Sequence, residues 1–319
     1  MGRERAVEDA ERQFRSSRAP AVCGCTPPRS AAPPPRPPAE PRGAGPVSGL
    51  HPLTGAFSQV NHRLMGAVSE SPPETGSVLG KTRLILEAFG LDDEDLGLTE
   101  LARRTGLAKA SVHRLSQELV RWGFLERRHG KYRLGMRLFE IGQRVPRQRI
   151  LRDLARPFME DLLQATGQTV HLAVADGLEV LYLEKVSGHR QVGRPSRVAG
   201  RMPLHCTATG KALLAFGPRG LLDEVVAAPL ARTTPRTTVA PGLLEQELKR
   251  ARELGYAVEY EQARIGYMSV AVPLAGATGA TVAALSVTGP VAPARTERFA
   301  GLLDTAGRQV TRLLSARDV

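Results

Sequence analysis

The sequence predicts an α+β protein of two folded domains behind a long tail, and three observations carry that prediction. Residues 1 to about 75 show no apolar periodicity and run through SRAPAVCGCTPPRSAAPPPRPPAEPRGAGP, a Pro/Ala-rich stretch. From Gly76 the apolar residues fall at steps of three and four, the period of short amphipathic helices. From Thr169 onward, β-branched runs and helical stretches succeed one another, as in a sheet with helices packed on it.

The tail, residues 1–75, cannot bury enough apolar surface to offset its chain entropy, and disorder is expected there. Met65, in HRLMGAVSESPPE, is read as an alternative start, with residues 1–64 upstream of it. Cys23-Gly-Cys25 has no further Cys or His nearby and falls short of a zinc ligand set. No metal and no cofactor are predicted. The N-terminus is charged where a signal peptide would be apolar, and no apolar run approaches the roughly 18 residues of a membrane span. With three cysteines in 319 residues, a reducing cytoplasm is the expected compartment. The net charge of +12 favours polyanion partners, although only six of the 44 basic residues are lysine, a bias that a GC-rich genome explains as well.

The first domain, residues 76–142, begins with GSVLGKTRLILEAF, where Leu79, Leu86 and Phe89, with Ile85 alongside, share one helical face. After the acidic LDDEDLG, Thr99 stands at an N-cap position with Glu100 in the first turn. That helix stops at Thr105-Gly106, where glycine suits a left-handed C-cap. A second helix, AKASVHRLSQELVRWG, turns Val112, Leu115, Leu119 and Trp122 inward. Two short helices about a Gly-containing turn make a helix-turn-helix. Left outside are Lys109, Ser111, His113, Arg114, Gln117 and Arg121, hydrogen-bonding types suited to base edges in a major groove. FLERRHGKYRLG then reads as strand, turn at His129-Gly130, strand: a wing whose Arg127, Arg128, Lys131 and Arg133 are able to reach phosphates or the minor groove. Between Leu101 and Arg137 ten bases face two acids, Glu118 and Glu126. That is the electrostatic footprint of a DNA binder.

Residues 143–150 are expected to link the domains, with Pro146 cutting a linker helix, and residues 151–314 to form the second domain before a short 315–319 tail. TVHLAVADGLEVLYLEKV is a hairpin about Asp176-Gly177. GKALLAFG, PGLLEQELKRARELG and TERFAGLLDTAGRQVTRLLSA are helical, whereas YAVEYE, YMSVAVPL and TVAALSVTGP are strands. Thr209-Gly210-Lys211-Ala212 imitates a phosphate loop but lacks both the earlier Gly and the following Ser or Thr. His205-Cys206, with His171 or Glu261 as helper, forms no complete nucleophile, base and orienting group, and no enzyme is predicted. The polar loop of MPLHCTATGKALLAF, placed ahead of a helix, suits a carboxylate or other anion.

TELARRTGLAKASVHRLSQELVRWGFLER resembles the DNA-binding domain of the IclR family of bacterial transcription regulators, through Thr99, Leu101-Ala102, Thr105-Gly106-Leu107, Ser111-Val112, Arg114-Leu115, Leu119 and Gly123-Phe124. The similarity runs from about Gly76 to Leu314. It implies a GAF-like mixed α/β effector domain, palindromic double-stranded operator DNA, a small organic effector, and assembly as a dimer or dimer of dimers. Carried over by motif, the effector would meet Ala208, Thr209 and Gly210 through their backbone, the run Glu259, Tyr260, Glu261, then Ser269, Ser286 and Thr288. Ser269 stands where the family often has Cys, and Tyr260 where it usually has Asp, from which a preference for an aromatic or larger effector is expected. The alternatives are a constitutive DNA-binding assembly protein and a cytosolic enzyme using Cys206.

Overall fold

The computed structural model describes residues 76–90, 92–188 and 196–317; the expectations for residues 1–75 lie outside this range. Helices α1 (Val78–Glu87), α2 (Leu98–Thr105) and α3 (Lys109–Arg121) are followed by a hairpin, β1 (Leu125–Arg128) and β2 (Lys131–Leu134). Their core is Ile85, Leu96, Leu101, Val112, Leu115, Leu119, Leu125 and Tyr132. The tight turn has His129 at φ 49° and Gly130 at φ 80°, the positive-φ pair of a type I′ hairpin. Leu96 adds a bridge to Tyr132, with backbone bonds of 2.7 and 2.8 Å in the two directions, and this fastens the wing to the helices.

Four local expectations are corrected. The N-cap of α2 is Gly97, not Thr99, because the helix begins two residues earlier than such a cap implies, at Leu98; Glu100 does lie in the first turn. In α1 only Ile85 is buried, and Leu79 is 81% exposed, because the first turn stops short of the core. Trp122 is exposed as well: it is the C-cap of α3, so its ring projects past the helix end and meets Phe124 edge-on at 6.1 Å. Pro146 starts a helix, a position that needs no N–H, rather than cutting one.

After α4 (Met136–Gly142), the 21-residue α5 (Pro146–Thr166) leads into a six-stranded antiparallel sheet, ordered β5-β4-β3-β8-β7-β6. The strands are β3 (Thr169–Asp176), β4 (Glu179–Val186), β5 (Arg201–Pro203), β6 (Ala257–Tyr260), β7 (Tyr267–Ala275) and β8 (Thr281–Pro290). Helix α5 and the C-terminal α9 (Thr296–Ala316) cover one face. They bury rows at steps of three and four: Leu151, Leu154, Phe158 and Leu162 on α5, and Phe299, Leu303, Ala306, Val310 and Leu313 on α9. Helices α6 (Ala208–Phe216) and α8 (Pro241–Leu254) cover the other face, with α7 (Arg219–Ala227) beside α6. The short β5 and the helix α7 were not among the expected elements; the first is three residues long, and the second buries only Val225.

Candidate functional site

The outer side of α3 presents Lys109, His113, Arg114 and Arg121 to solvent, with Ser111 and Gln117 half-buried. His113 Nε2 and Gln117 Nε2 are 3.5 Å apart, one turn from each other. The charge count made on the sequence is altered by ion pairing. Arg104 is held by Asp93 and Glu100, Arg103 by Glu100, Arg121 by Glu118, Lys131 by Asp95 and Arg133 by Glu126. Arg103 and Arg104 hold the Glu100 carboxyl down at about 2. Arg127 leans over the Tyr132 ring at 6.0 Å. Lys109, Arg114 and Arg128 form no ion pair among the described residues, although Arg128 acts on Glu126 at longer range, so they carry the least compensated positive charge of this face.

The second site is a cavity of about 450 Å³, its open mouth included, on the α6 face of the sheet. Its walls are His171, Tyr182, Ser196, Met202, Thr207, Ala208, Thr209, Glu259, Ala263, Arg264, Tyr267, Ser269, Ser286 and Thr288. Strand register assembles the floor. Thr288 pairs with Ser269, and Ser269 with Glu259; in the neighbouring row Ser286 pairs with His171. Helix α6 points its N-terminus at the same space: the Thr207 hydroxyl caps it by accepting the Gly210 N–H at 3.1 Å. The N–H groups of Ala208 and Thr209, in its first turn, have no acceptor within the helix. The Thr209 hydroxyl is buried and closes no well-formed hydrogen bond, although the neighbouring Tyr182 phenol feels it.

Six of the nine effector residues expected from the resemblance line this cavity: Ala208, Thr209, Glu259, Ser269, Ser286 and Thr288. Three do not. A side chain at Gly210 would place Cβ 2.1 Å from the Leu204 carbonyl oxygen, so this glycine serves the close approach of α6 to the preceding chain. Tyr260 follows Glu259 on β6, and successive strand residues face opposite ways; Glu259 turns inward, while Tyr260 is 39% exposed and bonds Thr296 at 2.8 Å. Glu261 (φ 56°) pairs with Arg236 at 2.9 Å and accepts the Gly266 N–H at 2.8 Å. The expectation built on Tyr260 as a cavity phenol is therefore withdrawn; the phenols present are Tyr182 and Tyr267. Sequence reading passed over these two, and also Ser196, Met202 and Arg264, because they sit on strands and loops whose meeting only the register decides.

Burial governs the chemistry of the walls. It lowers His171 to about 3, with Lys185 adding to the effect, so the ring is neutral. It raises Glu259 to about 7 against the backbone donors Ala263 and Gln262 and the Lys211 ammonium. It also pushes Tyr182 well above its ordinary range and Cys206 to about 11. The Cys206 thiol faces the Pro203 carbonyl at 3.8 Å and Thr233 at 3.6 Å, whereas His205 is bonded to the Ala231 carbonyl at 2.9 Å. A protonated thiol without an adjacent base is a poor nucleophile. Lys211, of the imitation phosphate loop, is a buried structural cation, bound at 2.8 Å to both Glu247 and Gln262.

Residues 78–129 match the IclR helix-turn-helix domain, and residues 143–312 match the IclR C-terminal domain of bacterial transcriptional regulators. The chain belongs to the IclR family. The transcriptional regulator XynR of Escherichia coli (strain K12) is 34% identical over 236 residues, 72% of this chain and 94% of XynR. KdgR of the same organism is 30% identical over 257 residues, 79% of this chain and 97% of KdgR. An IclR homolog from Microbacterium hydrocarbonoxydans, solved as a complex with 4-hydroxybenzoate, has a TM-score of 0.71 at 36% identity, covering 75% of this chain and 100% of that one. The Thermotoga maritima IclR has a TM-score of 0.64 at 32% identity, covering 74% and 98%. Like other IclR-type proteins, this one is a DNA-binding transcription regulator with a ligand-binding C-terminal domain. Among the described residues no helix is long and apolar enough to cross a membrane.

Proposed function

We propose that this IclR-type regulator is a cytoplasmic homodimer, or dimer of dimers, that binds a palindromic operator and is switched by a small organic acid held in the α6 cavity. The observation that carries the effector reading is the meeting of three features in one cavity. These are the α6 N-terminus, the buried Thr209 hydroxyl without a well-formed bond, and a floor of Ser and Thr side chains. Helix N-termini favour carboxylates through free N–H groups and the helix dipole. A carboxylate at the Ala208 and Thr209 N–H groups leaves Met202, Tyr182 and Ala263 to cover the body of the ligand. The Microbacterium homolog was solved with an aromatic acid, 4-hydroxybenzoate.

On DNA, Lys109, Ser111, His113, Arg114 and Gln117 read bases, whereas Arg127 and Arg128 add affinity, with smaller contributions from the paired Arg121, Lys131 and Arg133. Support for the dimer comes from α4, which has no buried residue. A seven-residue helix does not hold in water by itself, yet Met136 (65%) and Phe139 (62%) stand exposed on it, with Trp122 (59%) exposed as well. A second copy supplies the missing cover. The protein acts by binding, not turnover, a reading supported by the protonated, unassisted Cys206.

The test is binding of the full chain to its own upstream DNA, with and without a panel of benzoates and aliphatic acids. The expected result is one compound class that strengthens or dissolves the specific complex, because a ligand shifts the equilibrium only by its differential affinity for the two arrangements. Specific binding that every compound leaves unchanged, with no thermal shift, refutes the effector reading in favour of a constitutive binder.

A further inference from the structure

Five polar side chains touch in series across the cavity floor. Ser196 Oγ lies 2.6 Å from His171 Nε2, and His171 Nδ1 lies 3.5 Å from Thr288 Oγ1, the long step of the series. Thr288 Oγ1 lies 2.9 Å from Ser269 Oγ, which donates to Glu259 Oε1 at 3.1 Å. Each hydroxyl has one hydrogen to give, and a neutral imidazole has one N–H and one bare nitrogen. With all four contacts hydrogen-bonded, an ionised Glu259, which has no hydrogen to give, forces the series to run wholly toward it, and a protonated Glu259 lets it run wholly the other way.

The backbone fixes what happens at the Glu259 end. Oε2 already accepts the Gln262 N–H at 2.9 Å and the Ala263 N–H at 3.3 Å. Any proton on this carboxyl must sit on Oε1, facing Ser269. With Glu259 ionised, Ser269 donates to it and Thr288 to Ser269. His171 donates through Nδ1–H to Thr288, and Ser196 to the bare Nε2. With Glu259 protonated all four bonds reverse: the carboxyl donates to Ser269, and so on to His171, whose Nε2–H now donates to Ser196. The Ser196 hydroxyl hydrogen is then released to the cavity.

The geometry points to Glu259 as the residue that sets the direction of this five-member chain, and so decides whether the chain offers a ligand acceptors only or a donor at Ser196. With Glu259 charged, the floor suits a ligand that turns a hydroxyl or other donor toward it. With Glu259 neutral, it suits a keto or ether oxygen at Ser196. This choice of ligand rests on reading the cavity as the effector site; the chain itself does not.

The groups around Glu259 leave it free to play this part. Lys211 on α6 favours its charge but is outweighed by burial, which places it at about 7. Glu247 on α8 is bound to Lys211. Tyr182 on β4 and Cys206 ahead of α6 feel the Glu259 charge and remain neutral, as does His171 on β3. In the loop after β6, Glu261 is paired with Arg236, and Arg264 stands over the Tyr267 ring at 4.5 Å.

The test reads the chain directly, in the ligand-free full-length protein. ¹⁵N-histidine NMR, with the His171 signals assigned by their loss in His171→Gln, reports which ring nitrogen carries the proton. The expected result is Nδ1–H above about pH 8 and Nε2–H below about pH 6, with the ring neutral throughout. Glu259→Gln is nearly isosteric and locks the reversed direction. Its amide oxygen must take the two backbone N–H groups, so its NH₂ donates to Ser269, and Nε2–H is expected at every pH. Thr288→Val cuts the chain and abolishes the pH dependence; together with the wild type it decides the matter if Glu259→Gln does not fold. A wild-type tautomer unchanged between those limits overturns the proposal. So does a change that survives Thr288→Val, or a conversion of the ring to imidazolium. None of these outcomes bears on the DNA-release assay, so the two readings fail separately.

Discussion

Arg128→Ala tests whether ion pairing sorts the basic residues of the DNA-reading face. Arg128 is exposed at the end of β1 and forms no ion pair among the described residues. Arg133, on the paired strand, is bound by the Glu126 carboxylate, which it holds below the usual range. Removing one cation from a phosphate flattens the slope of log K against log salt by about 0.9, or about 1.8 for a two-headed complex. Between about 50 and 200 mM salt that difference amounts to roughly tenfold: wild-type affinity falls about ten times further than that of Arg128→Ala. Arg133→Ala should flatten the slope by less than half as much, because Glu126 already occupies its guanidinium. Fluorescence anisotropy on operator and scrambled duplexes across a salt series measures both slopes. Arg128→Ala should weaken the two duplexes alike. Equal flattening by the two substitutions, or an Arg128→Ala that shifts sequence preference and spares the slope, refutes the division of labour.

Three further outcomes are expected. Glu259, raised to about 7, is protonated in the folded state and ionised in the unfolded one between its ordinary 4.5 and about 7, so its contribution is full below 4.5 and lost as pH rises through 7. His171, lowered to about 3, does the reverse: its contribution is full above 6.5 and lost as pH falls toward 3. The two slopes cancel between 4.5 and 6.5, and Glu259→Gln should unmask the His171 slope and gain about 3 kcal/mol over wild type between pH 5 and 8; coincident denaturant-melt profiles would remove this account. Lys211→Met leaves Glu247 and Gln262 without their buried cation and should cost about 2–4 kcal/mol in urea unfolding, partly recovered by adding Glu247→Gln. Phe139→Ser should shift sedimentation toward monomer while the far-UV CD is retained; an unchanged dimer would move the interface away from α4.

Much of the local structure was legible because it depends on residues three, four or two positions apart. The steps of Val112, Leu115 and Leu119 give α3 its buried face, and His129-Gly130 can occupy only a tight hairpin turn. Alternation along β6 also implied that Glu259 and Tyr260 cannot both enter one cavity, a signal hidden by reading the run as a motif. Trp122 was misplaced because helical period says nothing about where the last side chain of a helix points.

By itself, then, the sequence determined most of the elements, though not the short β5 or α7, together with their order, the family, and which residue types stood ready for DNA and for an anion. Those properties are local, or are carried by motifs. Tertiary structure alone decided which cations remain free, since Asp93 and Asp95 reach back to Arg104 and Lys131 across intervals of 11 and 36 residues. It alone built the cavity floor, where antiparallel register brings His171 to Thr288 across 117 positions. Burial then moved Glu259 and His171 away from their ordinary proton affinities, because the cost of charge is set by everything that excludes water from it and not by chain neighbours.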